Sequence, residues 1–204
     1  MSAATRILIG EDQGMLRSAL ATLLNLEEDM RVVAAVARGD EVLAAVRDER
    51  PDVVLLDIEL PGISGLDLIA DVTRTLPGCV VIIVTTFGRP GYLRRALGSG
   101  AKGFLVKDDP VEELAASIRR VLAGEIVVNP QLAAQALSAS PNPLSDRERQ
   151  VLHASSGGAT IVDIAARLHL SASTVRNYLS SAIGKTNARN RNEALGLARD
   201  HGWL

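Results

Sequence analysis

The sequence has few aromatic residues, a single cysteine and no long apolar run. Aromatic residues make up 2% of the 204 positions and hydrophobic residues 47%, so any core must be built from aliphatic side chains. Because Cys79 has no second cysteine to pair with, an internal disulfide is excluded, which fits a reducing compartment. No apolar run approaches membrane-spanning length, and the amino terminus has no signal-peptide pattern. We therefore expect a soluble, cytoplasmic protein without membrane insertion.

The small net charge of −2 hides an asymmetry along the chain. Residues 1–140 hold 14 Lys and Arg against 19 Asp and Glu, whereas residues 141–204 hold 8 against 5. A basic carboxyl-terminal part indicates a polyanion as its partner. The length is sufficient for two modest domains.

Short β-branched runs alternate with helical patterns through residues 1–123. Five strands are predicted at Arg6–Gly10, Met30–Ala37, Val53–Asp57, Val80–Thr85 and Gly103–Val106. Such alternation is typical of a doubly wound parallel sheet joined by right-handed crossovers. The predicted fold class is therefore α/β, with a five-stranded parallel sheet of the flavodoxin-like kind.

Polar side chains stand where four of these strands end. They are Asp12 (preceded by Glu11), Asp57, Thr85 and Lys107. Because the carboxyl ends of parallel strands lie side by side, we expect these residues to converge. A single acid at a strand end is usually just solvated, but four matching positions favour a common site.

The residue types at these strand ends indicate phosphoryl chemistry. Three carboxylates in one cleft repel one another unless a cation lies between them, and hard oxygen ligands suit Mg²⁺. Asp57 is then the expected nucleophile towards a phosphoryl group. Lys107 is expected to pair with the phosphoryl oxygens, and the Thr85 hydroxyl to hydrogen-bond them.

Residues 124–204 are predicted to form a linker followed by helices. Residues 124–143 lose the alternating rhythm and are predicted to be a short helical piece and a linker. Residues 144–204 are predicted to be an all-α domain, in which Ala159–Ile183 has the outline of a helix-turn-helix. Val175, Leu179 and Ile183 recur at helical spacing on its second helix and are expected to face the core.

The opposite face of that second helix carries candidate DNA contacts. Arg176 could pair with a guanine edge or a phosphate, and Asn177 could reach an adenine, with Ser180 beside them. Ser173 and Thr174, near the amino end, suit phosphate contacts. Lys185 is the other cation of the helix.

These motifs resemble two modules of known families. Glu11-Asp12, LLDIELPGISG, VTTF and GFLVK resemble the receiver domain of two-component response regulators over about residues 5–123. LSDRERQVL, DIAARLHLSASTVRNYLSSAIGKT and RNRNEAL resemble the LuxR-type DNA-binding domain of the NarL/FixJ family over about residues 143–204. The strings VRNY and TTFGRPGY and the closing GWL are most similar to the DesR-like branch, which responds to membrane fluidity.

The receiver resemblance implies a role for each pocket residue. It makes Asp57 the phosphoacceptor, Lys107 the phosphate-pairing lysine, and Thr85 with Phe104 the switch pair. Metal ligation would fall to Glu11, Asp12 and Asp57, with a backbone carbonyl from Glu59. The resemblance also implies a Mg²⁺ cofactor, a sensor histidine kinase as phosphoryl donor, and a homodimer on phosphorylation, through either the fourth and fifth or the first and fifth helices.

The predicted function is a phosphorylation-activated regulator that binds double-stranded promoter DNA and is not an enzyme. One alternative is a phosphorylation-independent DNA-binding regulator whose receiver is vestigial. A second alternative is an aspartyl-phosphate hydrolase, because Asp57-Ile58-Glu59 resembles the motif of such enzymes. Their motif has Asp as its second acid, whereas this chain has Glu59, which disfavours catalytic turnover.

Overall fold

The computed structural model describes residues 4–86, 88–107, 111–138 and 142–204. Asp108–Pro110 and the part of the predicted linker at residues 139–141 lie outside these ranges. The chain divides into two compact units, Met1–Gly88 with Tyr92–Gln135 and Arg89–Gly91 with Ala136–Leu204. The change from one unit to the other after Gln135 falls inside the predicted linker.

The first unit contains a parallel sheet whose strand order is β2-β1-β3-β4-β5-β6. The strands are β1 (Thr5–Gly10), β2 (Met30–Val36), β3 (Val53–Leu56), β4 (Val80–Thr85), β5 (Gly103–Val106) and β6 (Val127–Val128). The predicted doubly wound parallel class is confirmed.

The predicted number of five strands is wrong, because the structure has a sixth. β6 lies within the predicted linker and pairs with β5, with Gly103 opposite Val127 and Phe104 opposite Val128. A two-residue strand is too short to produce a sequence pattern of its own. Its formation depends on the neighbouring edge strand and on the burial of Val127.

Helices cover both faces of the sheet, as the length of each crossover requires. They are α1 (Gly14–Leu24), α2 (Gly39–Glu49), α3 (Gly65–Thr75), α4 (Pro90–Gly98) and α5 (Val111–Leu122). A further helix, α6 (Pro130–Ser138), follows the last strand. One aliphatic cluster joins the sheet to α1 and α5 and includes Ile9, Leu20, Leu55, Ile82 and Ile118. All four residues of β3 are buried, so the strand holds the backbone of Asp57, the residue that follows it, in a fixed position.

The second unit is helical, with α7 (Asp146–Ala154), α8 (Ile161–Leu168), α9 (Ala172–Lys185) and α10 (Arg191–Asp200). Each helix begins after a polar residue whose side chain accepts hydrogen bonds from the first turn: Ser145, Thr160, Ser171 and Asn190. α8 ends at His169, whose φ of 54° is left-handed and turns the chain sharply into α9.

The predicted core face of α9 is confirmed. Val175 and Leu179 are buried, and Ile183 packs against the same cluster. Small residues, among them Ala182, Ala194 and Ala198, let the helices approach closely. None of the described helices is both long and apolar enough to cross a membrane.

Candidate functional site

The sheet aligns the four predicted strand-end residues along one edge. β1, β3, β4 and β5 are neighbours in the sheet order. Main-chain hydrogen bonds extend the ladder past the strand ends, from Asp57 N to Gly10 O at 2.9 Å and from Lys107 N to Thr85 O at 2.9 Å. The backbone therefore fixes Asp57 and Lys107 before any side chain contributes.

Three carboxylates meet at this edge. Ligand oxygens from Glu11, Asp12 and Asp57 lie within 4.8 Å of one another. Glu11 and Asp57 are buried, whereas Asp12 is exposed. The Lys107 ammonium contacts two of them, at 3.0 Å from Asp57 Oδ2 and 2.6 Å from Glu11 Oε2. One buried cation therefore partly neutralises the cluster.

One oxygen of Asp57 is left unused. The other carboxylate oxygen of Glu11, Oε1, accepts a hydrogen bond from Gln13 N, and Asp57 Oδ2 is held by Lys107. Among the described residues, Asp57 Oδ1 is a buried side-chain oxygen without a hydrogen-bond partner. Burying a polar atom without a hydrogen-bond partner costs free energy unless a bound ligand supplies the missing contact. The three carboxylates together form an oxygen-rich cluster that fits a hard cation such as Mg²⁺.

Burial and pairing shift two pKa values in this pocket. Burial raises the pKa of the Glu11 carboxyl above its usual value, and the hydrogen bond from Lys107 offsets this only in part. Burial would lower the pKa of Lys107, but its hydrogen bonds to Glu11 and Asp57 prevail and raise it. Lys107 is therefore a cation at neutral pH.

The predicted switch pair lies on one face of the sheet. Thr85 and Phe104 are both buried. Phe104 is opposite Ile83 in the β4–β5 register, and Thr85 is two residues beyond Ile83. Because side chains alternate along a strand, Thr85 and Phe104 project from the same face.

The turn after Asp57 contains Glu59 and is held from both ends. Gly39 N donates to Pro61 O at 2.9 Å, and the Ser64 hydroxyl donates to Ile58 O at 3.0 Å. The Glu59 side chain is exposed. A Cβ on Gly65 would lie 2.1 Å from Asp57 O, so only glycine lets α3 begin this close to the pocket.

The sequence interpretation missed Arg17 on α1. Its Nη1 donates to the main-chain carbonyls of Glu11 at 2.6 Å and Asp12 at 3.2 Å. The sequence does not indicate this contact, because the acceptors are main-chain oxygens, which every residue has.

The second unit presents most of the predicted DNA contacts on α9. Arg176, Asn177 and Ser180 are exposed. At the start of the helix, the Ser171 hydroxyl lies 2.8 Å from those of both Ser173 and Thr174. These side chains therefore form one polar face running from the first turn of α9.

Lys185, at the end of α9, is turned towards the protein. Its Nζ donates to Glu148 Oε2 at 2.8 Å, while Ser181 donates to Oε1 and Ser145 N to Oε2, both at 2.6 Å. Burial would raise the pKa of Glu148, but the hydrogen bonds from Lys185, Ser181 and Ser145 prevail and lower it to about 2. Glu148 thus joins the start of α7 to the end of α9.

Family comparisons agree with this two-part architecture. Residues 7–119 match the response regulator receiver domain, and residues 142–198 match the bacterial regulatory proteins of the luxR family. The chain therefore belongs to the response regulators of the NarL/FixJ type, which couple a receiver to a LuxR-type DNA-binding domain and regulate transcription.

Individual relatives span nearly the whole chain. It is 45% identical to the uncharacterized transcriptional regulatory protein YvfU of Bacillus subtilis (strain 168), over 98% of this chain and 99% of that protein. It is 44% identical to the transcriptional regulatory protein DesR of the same organism, over 97% and 98%. A crystal structure of a LuxR-family DNA-binding response regulator from Staphylococcus aureus, 37% identical, superposes with a TM-score of 0.56 over 58% of this chain and 98% of that one.

Proposed function

We propose that Asp57 accepts a phosphoryl group from a sensor histidine kinase, and that the phosphorylated protein dimerises and binds promoter DNA. The observation that carries this proposal is the buried, unpartnered Oδ1 of Asp57 beside the Lys107 ammonium. A carboxylate with one oxygen held and the other free is oriented for nucleophilic attack.

The transfer itself requires little from the protein beyond position and charge. Asp57 Oδ1 forms a bond to phosphorus as the bond to the kinase histidine breaks, and the imidazole nitrogen leaves with the electron pair. Lys107 holds the second oxygen of Asp57 and can pair with the phosphoryl oxygens. Glu11, Asp12 and Asp57, with the Glu59 carbonyl, would hold Mg²⁺, which offsets the negative charge of the phosphoryl group when bound.

Phosphorylation would then act on the Thr85 and Phe104 face. The modified Asp57 would carry about −1.5 to −2 charges, by analogy with other phosphorylated residues, in place of the single charge of its carboxylate. Thr85 ends β4, the strand next to β3, and its hydroxyl would donate a hydrogen bond to the new oxygens. Because Phe104 shares that face of the sheet, a movement of Thr85 changes the space available to the ring.

For dimerisation, we propose the face formed by α1 and α5. Leu23 in α1, Leu26 just beyond it and Leu122 in α5 are 39%, 74% and 40% exposed. α1 contacts α5, and Arg119 of α5 pairs with Glu27 after α1. Exposed apolar side chains with charges beside them are typical of a self-complementary interface.

For DNA binding, we assign α9 as the helix that enters the major groove. Arg176 and Asn177 would contact base edges, with Ser180 beside them, while Ser173 and Thr174 would contact phosphates. Lys185, which pairs with Glu148, would contribute less to DNA than its charge alone implies.

The test combines chemical labelling with DNA binding. The full chain is incubated with acetyl phosphate and Mg²⁺, and its intact mass and promoter affinity are measured on the same sample. We expect one phosphoryl group per chain and tighter DNA binding, both lost in Asp57→Asn. Asp71→Asn makes the same chemical change at a solvent-exposed side chain of α3 and should label normally.

Each alternative function predicts a different outcome, either in this experiment or in a parallel assay of phosphate release. DNA binding without any labelling would support a vestigial receiver, and so contradict the proposal. Steady release of phosphate from small esters would instead support the hydrolase.

A further inference from the structure

The turn between β1 and α1 supplies two of the three carboxylates but lacks the usual support at a helix start. Gln13 stands at the N-cap position, yet its side chain makes no capping hydrogen bond, and the first turn of α1 contains no acidic residue. An uncapped first turn leaves its conformation weakly determined. Glu11 N donates to Val36 O at 3.1 Å, which holds the start of this turn, so the Asp12 side of the turn depends on a contact other than a cap.

Arg17 fills this role from one turn into the helix. Its Nη1 bridges the carbonyls of Glu11 and Asp12, at 2.6 Å and 3.2 Å. Its Nη2 is 3.9 Å from the point where a Cβ on Gly14 would stand, so the guanidinium lies back across the turn. The side chain is half-buried. One planar group thus ties together two successive peptide carbonyls.

The acceptors that Arg17 uses are main-chain oxygens, not carboxylates. An arginine paired with the Asp12 side chain would compete with a metal ion for it. By donating to carbonyls, Arg17 fixes the backbone from which both acids project and leaves their carboxylates to other partners. Glu11 keeps its contacts with Lys107 and Gln13 N.

We propose that Arg17 is a positioning residue for the divalent cation, holding Glu11 and Asp12 in the orientation that Mg²⁺ requires. The inference rests on the proposed function of the pocket. Residues that orient metal ligands from outside the coordination sphere typically change metal affinity by about 10- to 100-fold when replaced.

The charge of Arg17 makes the proposal sharply testable. A positive group beside a cation site repels the cation, so removing it should tighten Mg²⁺ binding if electrostatics alone decide. If Arg17 acts by position, removing it should weaken binding instead. The two effects have opposite signs in the same variant.

The experiment titrates Mg²⁺ into the unphosphorylated full chain by calorimetry, and Mn²⁺ by the loss of its free electron-spin resonance signal. We expect Arg17→Gln to weaken binding by about 10-fold and Arg17→Lys, which keeps one donor group, by less. Arg74→Gln removes the same charge from an exposed ion pair on α3 and should bind as wild type does.

Phosphorylation by acetyl phosphate supplies the second readout. For Arg17→Gln we expect the Mg²⁺ concentration giving half the maximal rate to rise, with the maximal rate nearly restored at saturating Mg²⁺. Unchanged or tighter Mg²⁺ binding in both Arg17 variants would overturn the positioning role. Wild-type protein that neither binds Mg²⁺ nor labels would instead overturn the proposed function.

Discussion

Lys185 and Glu148 form an ion pair of 2.8 Å between the end of α9 and the start of α7. The carboxylate is 5% exposed and the ammonium-bearing side chain 42%. Glu148 Oε2 also accepts a hydrogen bond from Ser145 N, and Oε1 accepts one from the Ser181 hydroxyl. The pair therefore holds the proposed recognition helix against the rest of the helical unit.

Replacing Glu148 should alter the acid stability of this unit. The pKa of Glu148 is about 2 in the folded protein, below the usual 4.5, so its carboxylate contributes stability that is complete above about pH 4.5 and is lost as the pH falls towards 2. We expect Glu148→Gln to lower stability at pH 7 by about 1–3 kcal/mol, because the amide has no charge for Lys185 and one acceptor oxygen where the buried carboxylate has two. It should also flatten the pH dependence between 4.5 and 2.

Fluorescence of Trp203, the single tryptophan, reports on this unit because the residue packs against its core. Thermal unfolding is followed from pH 2 to 7 in wild type and Glu148→Gln. Asp146→Asn serves as control, since that side chain is 85% exposed. If the unfolding temperatures of wild type and Glu148→Gln change with pH in parallel, the Glu148 carboxylate does not contribute to the acid stability of this unit, which would contradict the prediction.

Arg176 should carry much of the DNA affinity of α9. It is exposed, whereas Lys185 is committed to Glu148. We expect Arg176→Ala to cost about 1–3 kcal/mol of binding if the side chain pairs with a base. Asn177→Ala should relax specificity more than affinity. Surface pairing of Arg176 with an acid would predict almost no loss.

Affinities for the wild-type site and a scrambled site are compared at two salt concentrations, because a lost phosphate contact also reduces the salt slope. Arg199→Ala, an exposed arginine of α10, is the charge-matched control. Equal affinities of wild type and Arg176→Ala at both salt concentrations would refute the prediction.

Leu26 should contribute to the phosphorylation-dependent dimer. Placing a charge at this exposed apolar position would require desolvating it in the α1–α5 interface. We expect Leu26→Glu to label normally but to remain monomeric by sedimentation. Val162→Glu, at a position 71% exposed in the helical unit, should dimerise as wild type does. A Leu26→Glu dimer as tight as that of wild type would favour the α4–α5 interface.

Gly65→Ala should disturb the pocket through the backbone. The added Cβ would lie 2.1 Å from Asp57 O, so either α3 or Asp57 must move. Overpacking of this kind costs about 1–3 kcal/mol of stability, and we expect slower labelling by acetyl phosphate. Gly98→Ala, where nothing lies within 4 Å, should leave both unchanged or slightly raise stability. Wild-type labelling and stability in Gly65→Ala would show that α3 adjusts freely.

The sequence was most informative where position follows from topology. The convergence of Asp12, Asp57, Thr85 and Lys107 was predictable because parallel strands bring their ends together whatever the side-chain details. The core face of α9 was likewise visible in the spacing of its apolar residues. These relationships depend only on periodicity and on the order of the strands.

The features that the sequence does not reveal depend on where long side chains extend and on pairing at the edge of the sheet. β6 is too short to show a pattern, and its pairing depends on a strand more than twenty residues earlier in the chain. Arg17 contacts carbonyls, which every residue possesses, so no residue type marks the partner. The charge of Lys185 is visible in the sequence, whereas its pairing with Glu148, which is 37 residues away, is not.

The arrangement of α9 has an evolutionary consequence. Ser181 and Lys185 are engaged with Glu148, while Arg176, Asn177 and Ser180 are exposed to solvent. Substitutions at the exposed positions therefore leave the network that secures the helix intact. On the proposed assignment of α9 as the recognition helix, a duplicated copy of this gene could acquire new promoters through a few changes at those positions without first gaining compensating stability. The same separation gives a designer a short list of codons to randomise when retargeting the protein.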